Sequence, residues 1–412
     1  MIHFIHKFGY RFLVALLVIL CVAAVGCRPP QNVSETPSES ERFVRHEEPE
    51  KESEHDILNV LQAIEDVLGS VERDAQGTII GVDLAVERAS ATDEVLKLAL
   101  TLPNLQKFRL AGGTVSAEAF AVLKTQSGIE ELFLQDMMIR EEEILSVVST
   151  LPKLKRLTLR RLSNISDAGI ILLFRFPALR QLALIEMSLT GAGLQSLEDS
   201  MSLTALDVRN CAQLNPEDYR NLVRLPQLAD LKIGGFAVND QCLEIVALLP
   251  ALKGLTLDDS LVSAKGFEKF VTDSLSADSL ETLVLNRNMS LSDEALFAIG
   301  NFSRLKRLIL GNAMVTGVFL ERLAENEQKR PQFNDLALRK TFLTEEAIAS
   351  LKKYPELQSL QITGGVLSKN GVETLLSLPR LGRLDLTDCS LDEDARQYLQ
   401  GLELPKSLKF VN

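Results

Sequence analysis

The sequence has few histidines and no tryptophan. The small number of histidines limits the kinds of catalytic and metal site that the protein can contain. All four histidines lie within the first 55 of the 412 residues. A Ser–His–Asp or Cys–His catalytic site and a histidine metal site are therefore excluded from the remainder of the chain. No phosphate-binding loop, dinucleotide-binding glycine pattern or calcium loop is present. The sequence predicts a protein that is not an enzyme and that uses no cofactor and no metal.

Aromatic residues and positive charge are also scarce. Aromatics make up 5% of the chain and hydrophobic residues 46%, so the core must be aliphatic, mostly Leu, Ile, Val and Ala. The formal net charge is -12, so the chain as a whole repels nucleic acid. We therefore expect no nucleic-acid partner.

The first 27 residues have the organisation of an export signal. Two basic residues precede an apolar run, residues 12–25, which is short for a membrane span of about 20 residues. The run ends in Ala24-Val25-Gly26-Cys27, which resembles the lipobox of bacterial lipoproteins, with Ala24 where that family usually has Leu. The resemblance implies that Cys27 is lipidated and that the protein is exported and anchored at the cell envelope. An uncleaved anchor or ordinary cleavage are the alternatives.

Two segments separate this signal from the rest of the chain. Residues 28–56 contain much Pro, Ser and Glu and little apolar surface, too little to offset the entropy of ordering. We predict a disordered acidic tether there, with a binding tail as the alternative. Residues 57–78 begin with apolar positions at helical spacing, which predicts a capping helix at the open end of a repeat array.

From residue 79 to residue 412 a short motif recurs at intervals of 24 to 28 residues. It consists of three apolar residues spaced as in Leu154-x-x-Leu157-x-Leu159, and it occurs thirteen times, with a truncated fourteenth copy at Leu408 and Val411. Each motif precedes a helical pattern, which often starts at a Ser or Thr followed by acidic residues, a sequence typical of a helix N-cap. Many of these patterns stop at an apolar residue followed by Pro, which cannot extend a helix.

This periodicity resembles the leucine-rich-repeat family, and most closely its cysteine-containing type with a helix in every repeat. The segment 203–218 shows the resemblance best, with Cys211 at the ninth position of the motif, where Cys389 and Asn288 stand in two other copies. The resemblance implies an α/β solenoid, a horseshoe of about thirteen strand–helix repeats with a parallel β-sheet on the concave face. We interpret Cys211, Cys242 and Cys389 as free, buried thiols.

The concave face of a solenoid is the usual place for a partner to bind, and the strand positions between the inward Leu residues should face it. In the N-terminal copies these positions hold a candidate partner-binding set, namely Lys107, Arg109, Phe133, Arg156, Arg160, Ile185 and Arg209. Arg suits planar carboxylate and phosphate groups, so an acidic protein or an anionic envelope polymer is the expected partner. The competing interpretation is that these charges only solvate the sheet and pair across strands.

Two functions are compatible with these features. The first is a non-catalytic binding scaffold tethered to the cell envelope through a lipid on Cys27. The second is a cytosolic substrate receptor of a ubiquitin ligase complex, because this repeat type is common in such receptors. No ligase-docking segment is recognisable before the repeats, and the start of the chain resembles a secretory signal. The sequence leaves the ligand and the oligomeric state open.

Overall fold

The computed structural model describes residues 49–86, 91–112, 114–173, 176, 178–200, 202–402 and 409–411. The predicted signal segment with Cys27, and most of the predicted tether, lie outside these residues. The strands are β1 (Ser70–Arg73), β2 (Ile79–Leu84), β3 (Lys107–Ala111), β4 (Glu131–Gln135), β5 (Arg156–Arg160), β6 (Gln181–Ile185), β7 (Ala205–Asp207), β8 (Asp230–Gly234), β9 (Gly254–Asp258), β10 (Thr282–Asn286), β11 (Arg307–Gly311), β12 (Asp335–Arg339), β13 (Ser359–Thr363), β14 (Val366–Leu367), β15 (Arg383–Asp385), β16 (Ser390–Leu391) and β17 (Lys409–Val411).

Helices alternate with these strands along the chain. The α-helices are α1 (Pro49–Asp66), α2 (Asp93–Ala99), α3 (Ala117–Phe120), α4 (Glu141–Val148), α5 (Asp167–Leu173), α6 (Gly191–Gln195), α7 (Asp240–Val246), α8 (Ala264–Asp273), α9 (Asp293–Phe297), α10 (Val318–Glu325), α11 (Glu345–Ser350), α12 (Lys369–Leu376) and α13 (Glu393–Gln400). Short 3-10 helices complete the set, at Ala121–Thr125, Ser196–Asp199, Pro216–Arg224, Ala298–Asn301 and Leu351–Lys353. Among the helices that the structure describes, none is both long enough and apolar enough to cross a bilayer.

A single sheet of fifteen strands contains β1 to β13, β15 and β17, in chain order. The pair β1 and β2 is antiparallel, and the pairs that follow it are parallel. Equivalent residues of successive repeats lie side by side, so that Leu157 pairs with Leu132 on one side and Leu182 on the other. The predicted α/β solenoid with a parallel sheet is therefore confirmed.

The inward positions of the strands form one aliphatic core with the helices. Leu157 and Leu159 of β5 are buried, and the equivalent positions of β2 to β13 and of β15 are buried as well. Because each strand alternates between core and surface, the residues between these positions point away from the core. This alternation places the candidate binding residues on the concave face.

The turn after each strand from β3 to β13, and after β15, begins with a residue of positive φ, such as Asp136 (φ 53°) and Arg161 (φ 51°). The backbone N–H of Asp136 donates to the carbonyl of Arg160, so the ladder continues into the turn. Beyond it, the ninth position of three copies donates to a carbonyl of the preceding repeat. These donors are Cys211 to Leu184 at 3.0 Å, Asn288 to Leu257 at 2.9 Å and Cys389 to Ile362 at 3.2 Å.

The thiols of the described residues are free. Cys211 and Cys242 are buried, whereas Cys389 is only partly so. Burial raises the pKa of the Cys211 thiol to about 11.

The N-terminal cap differs from the predicted helix over 57–78. Helix α1 starts at Pro49, eight residues earlier than predicted, and ends at Asp66. The chain then turns through Leu68 (φ 62°) and Gly69, where a Cβ atom would lie 2.8 Å from the Leu84 side chain. The remaining residues form β1, which covers the edge of β2 as an antiparallel partner. The open end of the sheet is therefore covered by a hairpin in addition to a helix.

Candidate binding surface

The concave face carries three outward positions per strand. In β5 these are Arg156, Thr158 and Arg160, which alternate with the buried Leu157 and Leu159. Because the strands are in register, each position continues as a row across the sheet, and Phe133, Thr158 and Ala183 are neighbours in the central row. Side chains from successive repeats therefore meet on this face.

The structure brings four of the seven candidate residues together. Lys107, Arg109, Phe133 and Arg156 line a shallow depression of about 300 Å³ at the N-terminal end of the face. The other three lie outside it: Arg160 at the end of β5, Ile185 at the end of β6 and Arg209 in the turn after β7. The other polar residues that line the depression include Glu72, Asp83, Glu131 and Thr158.

Every basic residue of the depression is paired with a carboxylate of another strand, which is the adjacent strand for Arg109 and Arg156 and the next but one, β1, for Lys107. The Nζ atom of Lys107 lies 2.5 Å from Glu72, and the guanidinium of Arg109 lies 2.8 Å from Asp83. Arg156 lies 2.8 Å from Glu131. The hydrogen bond from Lys107 to Glu72 raises the pKa of this lysine, which keeps it charged.

The two basic residues outside the depression are paired as well. Arg160 lies 2.8 Å from Glu186. Arg209 lies 2.8 Å from Asp207 and 2.6 Å from Asp258, and both of these carboxylates are buried. The hydrogen bonds that Arg209 donates to Asp207 are the main reason that the pKa of Arg209 is raised. Arg209 thus connects β7 with β9 across the intervening strand.

These ion pairs offset the positive charge that the sequence predicted for this part of the concave face. The five candidate bases have six carboxylate partners, Glu72, Asp83, Glu131, Glu186, Asp207 and Asp258, so the set carries no net positive charge. Pairing across strands, the competing interpretation of the sequence, describes all five bases. The surface offers fixed charges of both signs instead of a basic field.

Phe133 is the aromatic centre of the depression. The guanidinium of Arg109 lies 4.0 Å from the centroid of its ring while also bonding Asp83. This contact fixes the ring on one side, because a cation over an aromatic face is attracted to the ring quadrupole. On the other side the neighbouring residues of the row are Thr158 and Ala183, which are small. The ring itself is half-buried, with small side chains on this side.

Comparisons with known proteins concern the fold. No protein-family profile matches the sequence, and no curated protein matches it. Among solved structures, the chain is similar to a crystal structure of the internalin InlF from Listeria monocytogenes, with 16% identity and a TM-score of 0.44, covering 87% of this chain and 94% of that one. It is also similar to a chain in the crystal structure of the Rad7 and Elc1 complex in yeast, with 16% identity and a TM-score of 0.52, covering 78% and 77%.

The fold is a leucine-rich-repeat solenoid. At this level of identity the likeness extends to the fold alone. Within the residues that the structure describes, no group of three or more His, Cys, Asp or Glu side chains is arranged to hold a metal ion. The charged side chains of the depression are engaged in the ion pairs described above.

A second surface of the leucine-rich-repeat solenoid was not predicted. The segments that follow β8 to β13 each present one exposed, large apolar side chain at the edge of the solenoid, from a turn in five cases and from the two-residue strand β14 in the last. We call this set the turn row, and it consists of Phe236, Leu261, Met289, Met314, Phe342 and Val366. Its sequence signal is an apolar residue one position before the buried or partly buried aliphatic residue that precedes each helix, or two positions before it for Phe236 and Met289.

Proposed function

We propose that this protein is a non-catalytic scaffold of the cell envelope that binds another protein on the N-terminal half of its concave face. One observation carries the proposal: Lys107, Arg109 and Arg156 are held in ion pairs in the depression around Phe133, with small residues beside the ring. Such a surface is preorganised, since its charged side chains are already ordered before a partner arrives. An aromatic anchor surrounded by fixed polar groups is the arrangement that protein partners use as a hot spot.

The charge balance favours a protein over an anionic polymer as the partner. A polyanion would have to compete with Glu72, Asp83 and Glu131 for the bases that these carboxylates already hold. A protein can instead meet positive and negative groups with groups of the opposite sign. Charge complementarity of that kind contributes mainly to specificity and association rate.

The location at the envelope is supported by the sequence of the first 27 residues. A lipid on Cys27 would hold the solenoid at a membrane. The test is incorporation of a labelled fatty acid into the full-length chain, which we expect to be lost in Cys27→Ala. A wild-type chain that is full length, unlabelled and soluble in the cytosol would instead support the substrate-receptor function.

The binding site is tested by affinity capture of the full-length chain from native envelopes, with a matched pair of variants. Phe133→Ala removes the ring under Arg109. Phe297→Ala removes an equivalent ring on the helical side, where the Arg322 guanidinium lies 4.2 Å from its centroid and Glu294 pairs with that Arg at 2.7 Å. We expect capture of a discrete protein to be lost in Phe133→Ala and retained in Phe297→Ala.

A soluble polyanion separates the two classes of partner. Long-chain polyphosphate added to the same capture experiment should leave the retained protein in place at physiological salt, because the bases are compensated. Efficient elution by polyphosphate, together with equal capture by both Phe variants, would contradict the proposed site.

A further inference from the structure

The turn row defines a second surface, separate from the concave face. Its six members expose between 58% and 82% of their surface, and they come from six consecutive repeats. The equivalent position is the exposed Ala212, a small residue, in the repeat before the row and the exposed Ser390 in the repeat after it. We propose that the turn row is the contact surface of a two-fold symmetric dimer of this chain. This inference is independent of the partner proposed for the concave face.

The area of the row fits an interface between two proteins. Side chains of this size have areas on the order of 150–200 Å², so the row exposes on the order of 600 Å² of apolar surface. Contiguous patches this large on a soluble protein mark interaction sites. A standard interface buries about 800 Å² on each partner, which the row and its flanking turn residues together provide.

A second copy matches the row in size when the two rows run antiparallel. With the two-fold axis between Met289 and Met314, these two residues face each other across the interface. Leu261 of one copy then meets Phe342 of the other, and Phe236 meets Val366. Each aromatic side chain is thus opposite an aliphatic one, and the two flexible Met side chains, which adapt to irregular gaps, lie at the centre.

The same axis also matches the charges beside the row. The residues of positive φ flank the row on its concave side, and those of the six repeats are Gly235, Asp259, Arg287, Asn312, Lys340 and Gly364. The axis places Asp259 opposite Lys340, Arg287 opposite Asn312, and Gly235 opposite Gly364. Lys340 is exposed, and no carboxylate among the described residues lies within ion-pair distance of it in its own chain. The axis brings Lys340 to Asp259 of the second copy, a carboxylate that pairs with Arg287 at 2.7 Å within its own chain.

Alternative arrangements are less well matched. An axis through Met314 would place Arg287 opposite Lys340, and like charges directly opposite each other are unfavourable. The edge of a solenoid is curved. A two-fold axis that crosses the row lets the curved edges of the two copies follow each other along the whole row. A two-fold axis that runs along the row would make the two edges curve away from each other. An anionic bilayer fits less well than a second copy because the turns present Asp259 as well as Arg287 and Lys340.

The arrangement is tested by disulfide cross-linking of the full-length chain in its native membrane. The double variant Phe236→Cys/Val366→Cys places two thiols that are five strands, or about 24 Å, apart within one chain. That distance exceeds the reach of about 7 Å between Cα atoms of a disulfide, so a cross-link can form only between copies. We expect a covalent dimer under mild oxidation in the double variant, and none in either single variant or in the wild type.

Two further substitutions test whether the cross-link depends on the turn row or on any exposed Met residue. Met289→Glu in the double-cysteine background should abolish the cross-link. Met138→Glu should leave it unchanged, because Met138 is equally exposed in the turn after β4 but lies outside the row. All of these positions are exposed, so the variants should fold.

Three results would overturn the proposal. A cross-link in either single variant, Phe236→Cys or Val366→Cys, would contradict the antiparallel register. Absence of any cross-link in the double variant would contradict the dimer. Binding of the chain to phosphatidylglycerol vesicles that is lost in Met314→Glu, without a cross-link, would assign the row to a lipid surface.

Discussion

Asp240 holds the helix cap of the next repeat through Ser263. One carboxylate oxygen accepts from the backbone N–H of Ser263 at 2.7 Å, and the other accepts from its hydroxyl at 2.6 Å. The Ser263 hydroxyl in turn accepts from the backbone N–H of Gly266 at 3.0 Å, which caps α8. The same link joins Asp93 to Ser116, Asp167 to Thr190 and Asp293 to Thr316. Neighbouring helices are therefore coupled through their first turns.

This coupling predicts a stability cost for removing the carboxylate. Asp240→Ala leaves the N–H and the hydroxyl of Ser263 without their acceptor, so we expect the free energy of unfolding to fall by about 1–3 kcal/mol. Guanidinium-induced unfolding followed by circular dichroism measures the change. The exposed Lys265, in the first turn of the same helix, provides the control, and Lys265→Ala should change stability by less than about 0.5 kcal/mol. Equal losses in both variants would contradict the cap.

The same geometry predicts that Gly266 and Asp240 are not independent. A Cβ atom at Gly266 would lie 2.0 Å from the Oδ1 atom of Asp240, so Gly266→Ala must displace that carboxylate. Gly266→Ala should therefore destabilise the wild type, although Ala usually favours a helix. In the Asp240→Ala background the same change should cost little, giving a coupling energy of about 1 kcal/mol in the double-mutant cycle. Additive effects would contradict the proposed packing.

Much of the fold follows from the sequence because its main signal is local. The spacing of Leu154, Leu157 and Leu159 defines one strand and its inward face, and repetition of the motif defines the parallel stack. The sequence alone did not decide whether Arg156 pairs with Glu131. Once β4 and β5 are in register, the two residues are direct neighbours and the pair follows. Single positions of the strands could therefore be assigned to the concave face correctly.

The features that the sequence did not predict depend on contacts between repeats. The link from Asp240 to Ser263 spans 23 residues and exists only because two helices stack with their first turns side by side. In the turn after β4, Met137 is buried and Met138 is exposed, and hydrophobicity alone does not distinguish them. The strand β1 contains a single apolar residue, Val71, so its pairing with β2 gave little signal.

Arg209 should be worth more to stability than the other candidate bases. Arg209→Ala leaves the buried carboxylates of Asp207 and Asp258 without a counter-ion, which we expect to cost roughly 3 kcal/mol. Arg156→Ala, which removes a half-exposed pair with Glu131, should cost less than about 1 kcal/mol. The triple variant Arg209→Met/Asp207→Asn/Asp258→Asn should recover most of the loss in denaturant unfolding. A triple variant as unstable as Arg209→Ala would contradict this explanation.

The turn carboxylates predict a loss of stability in acid. Hydrogen bonds from Arg161 are the main reason that the pKa of Asp136 lies below its ordinary value of 3.8. A carboxyl group whose pKa is lower in the folded protein than in the unfolded chain stabilises the folded protein fully when the pH is above the pKa of the unfolded chain. This contribution to the free energy of unfolding is lost as the pH falls through the pKa of the folded protein. Unfolding measured between about pH 5 and pH 2 should therefore show falling stability. Asp136→Asn should reduce the slope, and an unchanged slope would contradict the assignment.

The buried thiols should be chemically silent in the native protein. Because burial raises the pKa of Cys211 and of Cys242 to about 11, both remain protonated at neutral pH, and the thiolate is the reactive form. Maleimide labelling followed by peptide mass spectrometry should find neither residue modified until denaturant is added. Labelling of Cys211 at the native-state rate of an exposed thiol would show that its bond to the Leu184 carbonyl is not maintained.

The most direct test of the proposed function is site-specific photo-cross-linking from the two sides of the solenoid. A photoreactive amino acid replaces Thr158, beside Phe133 on the concave face, or the exposed Lys265 on α8, in the full-length chain within native envelopes. The proposal predicts a discrete protein adduct from position 158 that disappears when Phe133→Ala is added, and no such adduct from position 265. Adducts of equal yield from both positions, or adducts from position 158 that persist in Phe133→Ala, would contradict it.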